Sequence, residues 1–352
     1  MLVPAHNEEA SIADTIRSMQ GQTYPIERVV VAADNCTDRT VEIARASGAE
    51  VFETVGNTAK KAGAINAGFS MLLPTLGSDD VIMTMDADSV LLPDCVEVAI
   101  KLLDTDPTLG GVSGSVLSRP QTNWLETLQA IEYERGRRQM SRQWGRINVL
   151  SGASAFFVVK ALRAVAEARG TILPGDRGDY MVPGNLAEDY ELTVAIRVLG
   201  YTVRSTKHAM VSTDLMPDLL SFEGQRARWY RGTIESAWTY GWRPEVRRIW
   251  IQLFYAFLTS LLFPLVLVGL VFAYLAFGSL PSLIFFALLP LLVVENVIVA
   301  NRVGTRQAKI FAWTYFPLWF YDLVQASFYW RALYYAVMRK PSKWDNDQRI
   351  YV

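Results

Sequence analysis

The chain has 352 residues, a formal net charge of −1, and 20% charged against 51% hydrophobic residues. That length accommodates one large domain or two ordinary ones with a sizeable core, and the charge balance gives no footing for a nucleic-acid partner. The two cysteines, Cys36 and Cys95, lie far apart without a metal-ligand spacing, which suits a reducing compartment.

No signal-peptide pattern opens the chain, and Met1 to Pro4 enters directly on a strand, so an upstream extension is either missing or dispensed with. The first strand is expected at Leu2 to Pro4, followed by a loop at Ala5 to Glu9. A helix from about Ser11 to Gln20 comes next, with Ser11 as N-cap and Ala13, Ile16 and Met19 along one face. A second strand, Val29 to Ala33, ends at Asp34, and Asn35-Cys-Thr-Asp38 leads into a helix through Ala46. A short strand at Glu50 to Thr54 and a loop at Gly56 to Ala59 precede Lys60-Lys-Ala-Gly-Ala-Ile-Asn66, which opens a helix to about Leu73. This alternation argues for an α/β fold with a largely parallel sheet and helices on both faces.

Val81-Ile-Met-Thr-Met-Asp-Ala-Asp88 ends a β-leaning apolar run on two carboxylates one residue apart, and Ser89 and Pro93 then signal a turn into a helix. A buried strand delivers Asp86 and Asp88 to the carboxyl edge of a sheet, where open α/β folds bind ligands. Side chains at i and i+2 share a face of extended backbone and can meet one hard cation serving a phosphate. A pair of turn aspartates is the plainer alternative.

Beyond a further helix, a strand is expected at Gly110 to Leu117 and an amphipathic helix near Trp124 to Gln143. Arg135, Arg137, Arg138, Arg142 and Arg146 make that region basic, either beside lipid headgroups or a diphosphate or as a solvated face. Val149 to Phe157 reads as a strand with a glycine bulge. Leu186-Ala-Glu-Asp189 opens a helix through Leu199, whose first-turn acids suit the helix dipole. His208 follows the strand Thr202 to Ser205, as a structural residue or within reach of a metal. Leu219 to Trp238 is an amphipathic helix that groups Gln225, Arg226, Arg228 and Trp229.

From Ile251 to Phe277 there is no charged residue, enough to cross a bilayer, with Pro264 inside the stretch. A turn at Gly278 to Pro281 and a second span at Leu283 to Ala300 follow; Glu295 and Asn296 within it are costly facing lipid. Arg243, Arg247 and Arg248 before this pair, and Arg302, Arg306 and Lys309 after it, put both ends on the cytoplasmic side. Ile310 to Met338 is aromatic-rich and interrupted by Asp322, Gln325 and Arg331; crossing, re-entering and interfacial placements all fit it. The expected organisation is a catalytic domain over 1–240 and a membrane region over 241–352.

The ordered set Val3-Pro-Ala-His-Asn-Glu-Glu9, Asp34-Asn-Cys-Thr-Asp38, Lys61-Ala-Gly-Ala-Ile-Asn66, Asp86-Ala-Asp88, Glu188-Asp189 and Gln225-Arg-Ala-Arg-Trp229 resembles the motif series of the family 2 glycosyltransferases. The likeness is greatest to the membrane-embedded branch that contains cellulose, chitin, hyaluronan and poly-N-acetylglucosamine synthases, and it covers about residues 2 to 240. It implies a GT-A fold, a Rossmann-like, mostly parallel α/β catalytic domain followed by C-terminal transmembrane and interfacial helices. It also implies a nucleotide-sugar donor, of UDP type, with Pro4, Ala5, Asn7, Glu8 and Asp34 at the nucleoside. Lys61 would offer a point charge to the diphosphate. Asp88 would be the principal ligand of Mg²⁺ or Mn²⁺, with Asp86 closer to the ribose and sugar. Ser151 and Gly152 would abut the acceptor, and Asp189, next to Glu188, would be the general base. Gln225 and Arg228 would lie near donor phosphates at the acceptor channel, where Trp229 stacks on the acceptor sugar. Ala187 stands where Thr or Ser is common in the family.

Plainer readings accompany several of these: a turn or N-cap aspartate for Asp34, a solvated face for Lys60-Lys61, and an interfacial Trp and Arg belt for the last helix. The function implied is inverting, metal-dependent sugar transfer to a growing polysaccharide at the cytoplasmic membrane. Its partners are membrane lipids, a glycan or lipid-linked acceptor, and a second copy of the chain where a channel needs one. Single transfer to a lipid-linked acceptor is the alternative, and a catalytically inactive binding or transport protein is the rival of another class.

Overall fold

In the computed structural model, residues 1–147, 149–278 and 289–340 are described. The first of two units comprises Met1–Arg119, Gly136–Asp214 and Trp238–Glu245. Strands β1 (Leu2–Ala5), β2 (Val30–Ala33), β3 (Glu50–Glu53) and β4 (Val81–Thr84) run parallel in the order β3-β2-β1-β4. β1 and β2 are buried along their whole length, which is why they read as unbroken apolar runs: helices cover both faces of a parallel sheet. Helices α1 (Ile12–Gln20), α2 (Thr40–Ala46) and α3 (Lys60–Leu72) supply the crossovers. α1 buries Ile12, Ile16 and Met19 at helical spacing. α3 approaches β1 so closely that a Cβ at Gly68 would meet the Leu2 side chain at 2.6 Å, a fit that excludes a larger residue.

The sheet continues through β5 (Val90–Leu91), β6 (Leu109–Ser118), β7 (Ala155–Val158) and β8 (Thr202–Thr213), giving the order β3-β2-β1-β4-β7-β6-β8-β5. Here the expectation of a mostly parallel sheet is corrected. β7 runs antiparallel to β4 and to β6, β5 runs antiparallel to β8, and only β6 and β8 are parallel in this half. Direction depends on non-local pairing, such as Thr84 opposite Ala155, which the hydrophobic pattern does not carry. The reversal has a functional consequence: the start of β7 lies beside the end of β4, so the Ser151-Gly152 turn reaches the same edge as Asp86. Helices α4 (Cys95–Leu103), α6 (Val159–Ala168) and α7 (Glu188–Val198) complete the unit, apart from a short part of the two helices it shares with the second.

The second unit comprises Pro120–Arg135, Leu215–Ala237 and the chain from Val246 onward. It takes the first part of α5 (Trp124–Arg142) and most of α8 (Leu219–Tyr240), together with α9 (Arg247–Phe277), α10 (Leu289–Val303), α11 (Arg306–Thr314) and α12 (Phe316–Val337). Leu125, Leu128, Ile131, Phe222, Val299, Ala308 and Leu318 share its core. Polar side chains tie the helices together. Arg226 donates to Glu132 at 2.8 Å, the Tyr321 hydroxyl donates to the same carboxylate, and Phe222 stacks on Tyr321. Arg135 donates to Asn296 at 3.0 Å, and Tyr230 donates to Gln325 at 3.0 Å. The polar residues of the last two expected membrane segments thus contact α5 and α8, which resolves the cost anticipated for Asn296.

Among the described residues no helix is long and apolar enough to cross a membrane. The expected first span is a continuous helix through Pro264, capped by Gly278 at φ 65°, although the described side chains are interrupted at 263, 266, 267 and 270. Of the expected second span, residues 289–300 are described and belong to α10 (Leu289–Val303). Residues 279–288 and 341–352, with the rest of that span, most of the expected turn and the C-terminal Lys343 and Arg349, lie outside the described residues. The third expected segment is broken into α11 and α12 by Tyr315 at φ 60° and by Pro317.

Candidate active site

Four parallel strands end at one edge, and β1 has β2 on one side and β4 on the other, the topological switch at which doubly wound sheets bind ligands. The loops after β1, β2 and β4 carry the residues expected at a donor. After β1, Asn7 adopts φ 55°, and its Oδ1 accepts from Thr37 N at 2.8 Å, stitching this loop to the one after β2. Ser11 does not cap α1 through its side chain; its hydroxyl donates instead to Glu8 Oε2 at 2.9 Å. Glu8 is held at about 7 chiefly by burial, with Asp88 and Asp86 adding repulsion against that hydrogen bond. Asp34 is buried, and its Oδ1 accepts from Thr54 at 2.5 Å, Asn57 at 2.8 Å and Asn35 at 3.1 Å. Thr54 and Asn57 were not singled out in the sequence; a polar side chain just past a strand end is the one signal that marks them.

Asp86 and Asp88 follow β4. Lys61, at the start of α3, lies 2.5 Å from Asp86 Oδ1 and 3.1 Å from Glu188 Oε1. Burial disfavours its ammonium, but Asp86, Glu188 and Asp189 outweigh that and raise its pKa, so Lys61 is fully charged. Asp88 is pushed up to about 6 by burial and then by Asp86. Its loop is pinned from three directions: Thr15 donates to the carbonyls of Ala87 and Ser89 at 2.7 and 2.8 Å, Arg119 donates to Asp88 O at 2.8 Å, and the Ser89 hydroxyl reaches Asp88 Oδ1 at 3.2 Å.

Gly152 is the junction of the site. Its carbonyl accepts from Asp86 N at 3.1 Å, and its N–H donates to Asp189 Oδ2 at 2.9 Å. A Cβ at this position would stand 2.9 Å from Lys61 Nζ and 3.4 Å from Asp86 Oδ1. Neighbouring Ser151 is held by its N–H donating to Ser113 at 3.0 Å. Asp189, in the first turn of α7, also accepts from Tyr190 N at 2.7 Å, yet burial and the adjacent Glu188 push it up to about 6. Pro4, Lys61, Ile65, Gly152, Glu188 and Asp189 line one pocket. One strongly charged cation, three carboxylates and a main-chain donor therefore meet in a small space.

Gln225, Arg228 and Trp229 belong to the second unit, on α8. There Trp229 is 39% exposed, and the Arg226 guanidinium lies 4.4 Å from its ring centroid and 4.9 Å from that of Phe222. His208, the second histidine, is exposed on β8 and donates only its backbone N–H, to Thr206. No group of three or more His, Cys, Asp or Glu side chains is assembled as a metal site among the described residues.

A family model described as glycosyl transferase family group 2 matches residues 81–300. The chain belongs to that family. It is a family 2 glycosyltransferase, and its relatives include poly-β-1,6-N-acetyl-D-glucosamine synthases of Staphylococcus aureus and Staphylococcus epidermidis. They are 25% and 26% identical over 238 residues, 66% of this chain and 53% of each relative. The transferase thus spans about half the length of the curated relatives it matches. Among solved structures, a mannosyltransferase from Pyrobaculum calidifontis in complex with GDP-Man and Mn²⁺ shares the fold, with a TM-score of 0.61 and 18% identity over 97% of this chain and 87% of that one.

Proposed function

We propose that the transferase moves a sugar from a nucleoside diphosphate donor, of UDP type, onto a glycan acceptor with inversion at the anomeric carbon. The observation that carries this reading is Lys61 bridging Asp86 and Glu188, with Asp189 oriented beside them by the Gly152 N–H. Inversion needs one carboxylate facing the acceptor hydroxyl, and a carboxylate raised to about 6 is a stronger base than an ordinary one while still ionised near neutrality. Asp189 takes the proton of the attacking hydroxyl, the new glycosidic bond forms as the bond to the diphosphate breaks, and the electron pair leaves with the diphosphate. Lys61 offers its ammonium to that departing charge. Pro4, Ala5, Asn7, Glu8 and Asp34, at the ends of β1 and β2, hold the nucleoside.

Asp86 and Asp88 fit a divalent ion. Both are hard oxygen donors, and Asp88, raised by burial and then by Asp86, has a negative charge that a cation would stabilise. Asp88, with Asp86, would hold Mg²⁺ or Mn²⁺, which would supply charge neutralisation at the leaving group. The Pyrobaculum enzyme, solved with GDP-Man and Mn²⁺, agrees with a nucleoside diphosphate sugar and a divalent ion, though not with the choice of UDP.

The Staphylococcus relatives support a polysaccharide product. Ser151 and Gly152 in the first unit abut the acceptor, and the exposed Trp229 of the second unit offers a stacking face to a sugar ring. The same reading seats the chain in the cytoplasmic membrane with its site on the cytoplasmic side. Its support is the uncharged run Ile251 to Phe277, the arginines before it, and the exposed Phe254, Leu265, Val268, Phe272 and Leu275 on α9.

Labelled-sugar transfer by detergent-solubilised protein tests the proposal, screened over UDP and GDP sugars with Mn²⁺, Mg²⁺ or chelator and with products resolved by size. A ladder or long polymer from a UDP sugar, abolished by chelator, is expected. A single labelled lipid would replace polymerisation by one-step transfer, and no transfer from any donor would refute the reading.

A further inference from the structure

The segment between α6 and α7, residues 170–187, has no periodic pattern, yet it is gripped from two sides. From α3, Asn66 Nδ2 donates to Met181 O at 2.8 Å, while its Oδ1 accepts from Met181 N at 2.8 Å and Tyr180 N at 3.2 Å. That is three of the four hydrogen bonds one carboxamide can make, placed on two adjacent residues. From the other side, Arg169 donates to Tyr180 O and to Pro174 O, both at 2.8 Å. Arg169 is itself fixed by a two-pronged pair with Glu191 at 2.6 and 2.9 Å, which ties the segment to the helix that carries Asp189. The Tyr180 ring packs edge-on to Phe69, 5.3 Å between centroids, and Phe69 in turn packs on Phe157, a wall of the pocket.

The one side chain this segment adds to the pocket is Met181. It lies with Ile65, Lys61, Glu188 and Asp189, and it is 2% exposed. A segment without secondary structure holds Met181 between two side-chain clamps, against the wall beside the proposed base. We propose that Met181 is a specificity-determining residue, setting the room available to the ring substituents of the transferred sugar, and that Asn66 is its positioning residue. This rests on the transferase reading of the same pocket.

The test compares UDP-N-acetylglucosamine with UDP-glucose, two donors that differ only in the substituent at C2, by kcat/KM in transfer and by equilibrium binding. Met181→Ala removes apolar wall and shifts the ratio between the two donors ~10-fold or more, the scale at which small changes in an apolar pocket discriminate. Met181→Leu conserves volume and keeps the wild-type ratio. Asn66→Ala shifts the ratio in the same direction as Met181→Ala. Asn66→Asp retains both acceptor bonds but sets a carboxylate oxygen against the Met181 carbonyl, so it also shifts the ratio in the direction of Met181→Ala. Equal losses for both donors in every variant would make the clamp merely structural and overturn the proposal. A wild type that binds both donors and transfers neither would overturn the transferase reading, and the binding ratio would still decide Met181.

Discussion

Two clusters of buried charge sit within one turn of α7 and behave in opposite ways. Around Glu188 and Asp189, Lys61 faces three carboxylates; their negative charge raises the lysine, while burial and then Glu188 raise Asp189. Around Glu191, Arg169 meets one carboxylate with both prongs, at 0% and 2% side-chain exposure, and the Tyr240 hydroxyl donates to the same acid. The first cluster opens on a pocket and is unbalanced; the second is sealed and matched. Asp189 and Glu191, two residues apart on one helix, point to opposite sides and so divide into chemistry and structure. An acid whose charge is not cancelled locally is the one that can exchange a proton or meet a ligand.

The largest expected effect on folding comes from the sealed pair. Arg169→Met leaves Glu191 buried without its partner and should cost ~3–5 kcal/mol, read as a lower denaturation midpoint. Adding Glu191→Leu should recover part of that loss, because replacing both partners by apolar side chains is far less costly than orphaning one. A double variant no better than the single would mean the pair owes its effect to the Pro174 and Tyr180 carbonyls held by Arg169.

The open cluster answers to activity instead. Gly152→Ala puts a Cβ 2.9 Å from Lys61 Nζ, so the lysine must shift from Asp86. Transfer should fall ~10²-fold, as for a displaced catalytic group, with the melting temperature little changed. A loss of folding without a specific loss of rate would move Gly152 into the structural class.

The smallest effect is on pH dependence, and its sign separates the two clusters. With Asp189 held at about 6, the rate should rise with pH through about 6, roughly tenfold per unit below it, and level off above. Stability runs the other way over the window from about 4, the ordinary carboxyl value, to about 6. There the folded chain holds a proton that the unfolded chain has lost, so the contribution of Asp189 to folding decreases as pH rises. A rate already flat at pH 5 would place the base elsewhere.

What the sequence shows and hides follows the same physics. β1, β2 and β4 are legible because a strand covered on both faces must be apolar, and the acids at their ends stand out against it. The start of α7 is legible from its cluster of acids. The antiparallel β7 is not, since its direction is fixed by partners far along the chain. Nor is the segment that carries Met181, whose position depends on single side chains such as Asn66, more than a hundred residues away. Ser11 reads as a helix cap, but Glu8, three residues earlier, takes its hydroxyl, a local competition that pattern alone does not settle.

The most direct measurement is Asp189→Asn, assayed in parallel for labelled-sugar transfer and for donor binding by titration calorimetry in the presence of Mn²⁺. The amide keeps the shape of the side chain and an acceptor for the Gly152 N–H, gives up the one that meets Tyr190 N–H, and removes the base. Transfer should fall ~10²–10⁴-fold with donor affinity retained. Transfer at the wild-type rate, or loss of transfer only in proportion to loss of donor binding, would contradict the assignment of Asp189 as the residue that activates the acceptor.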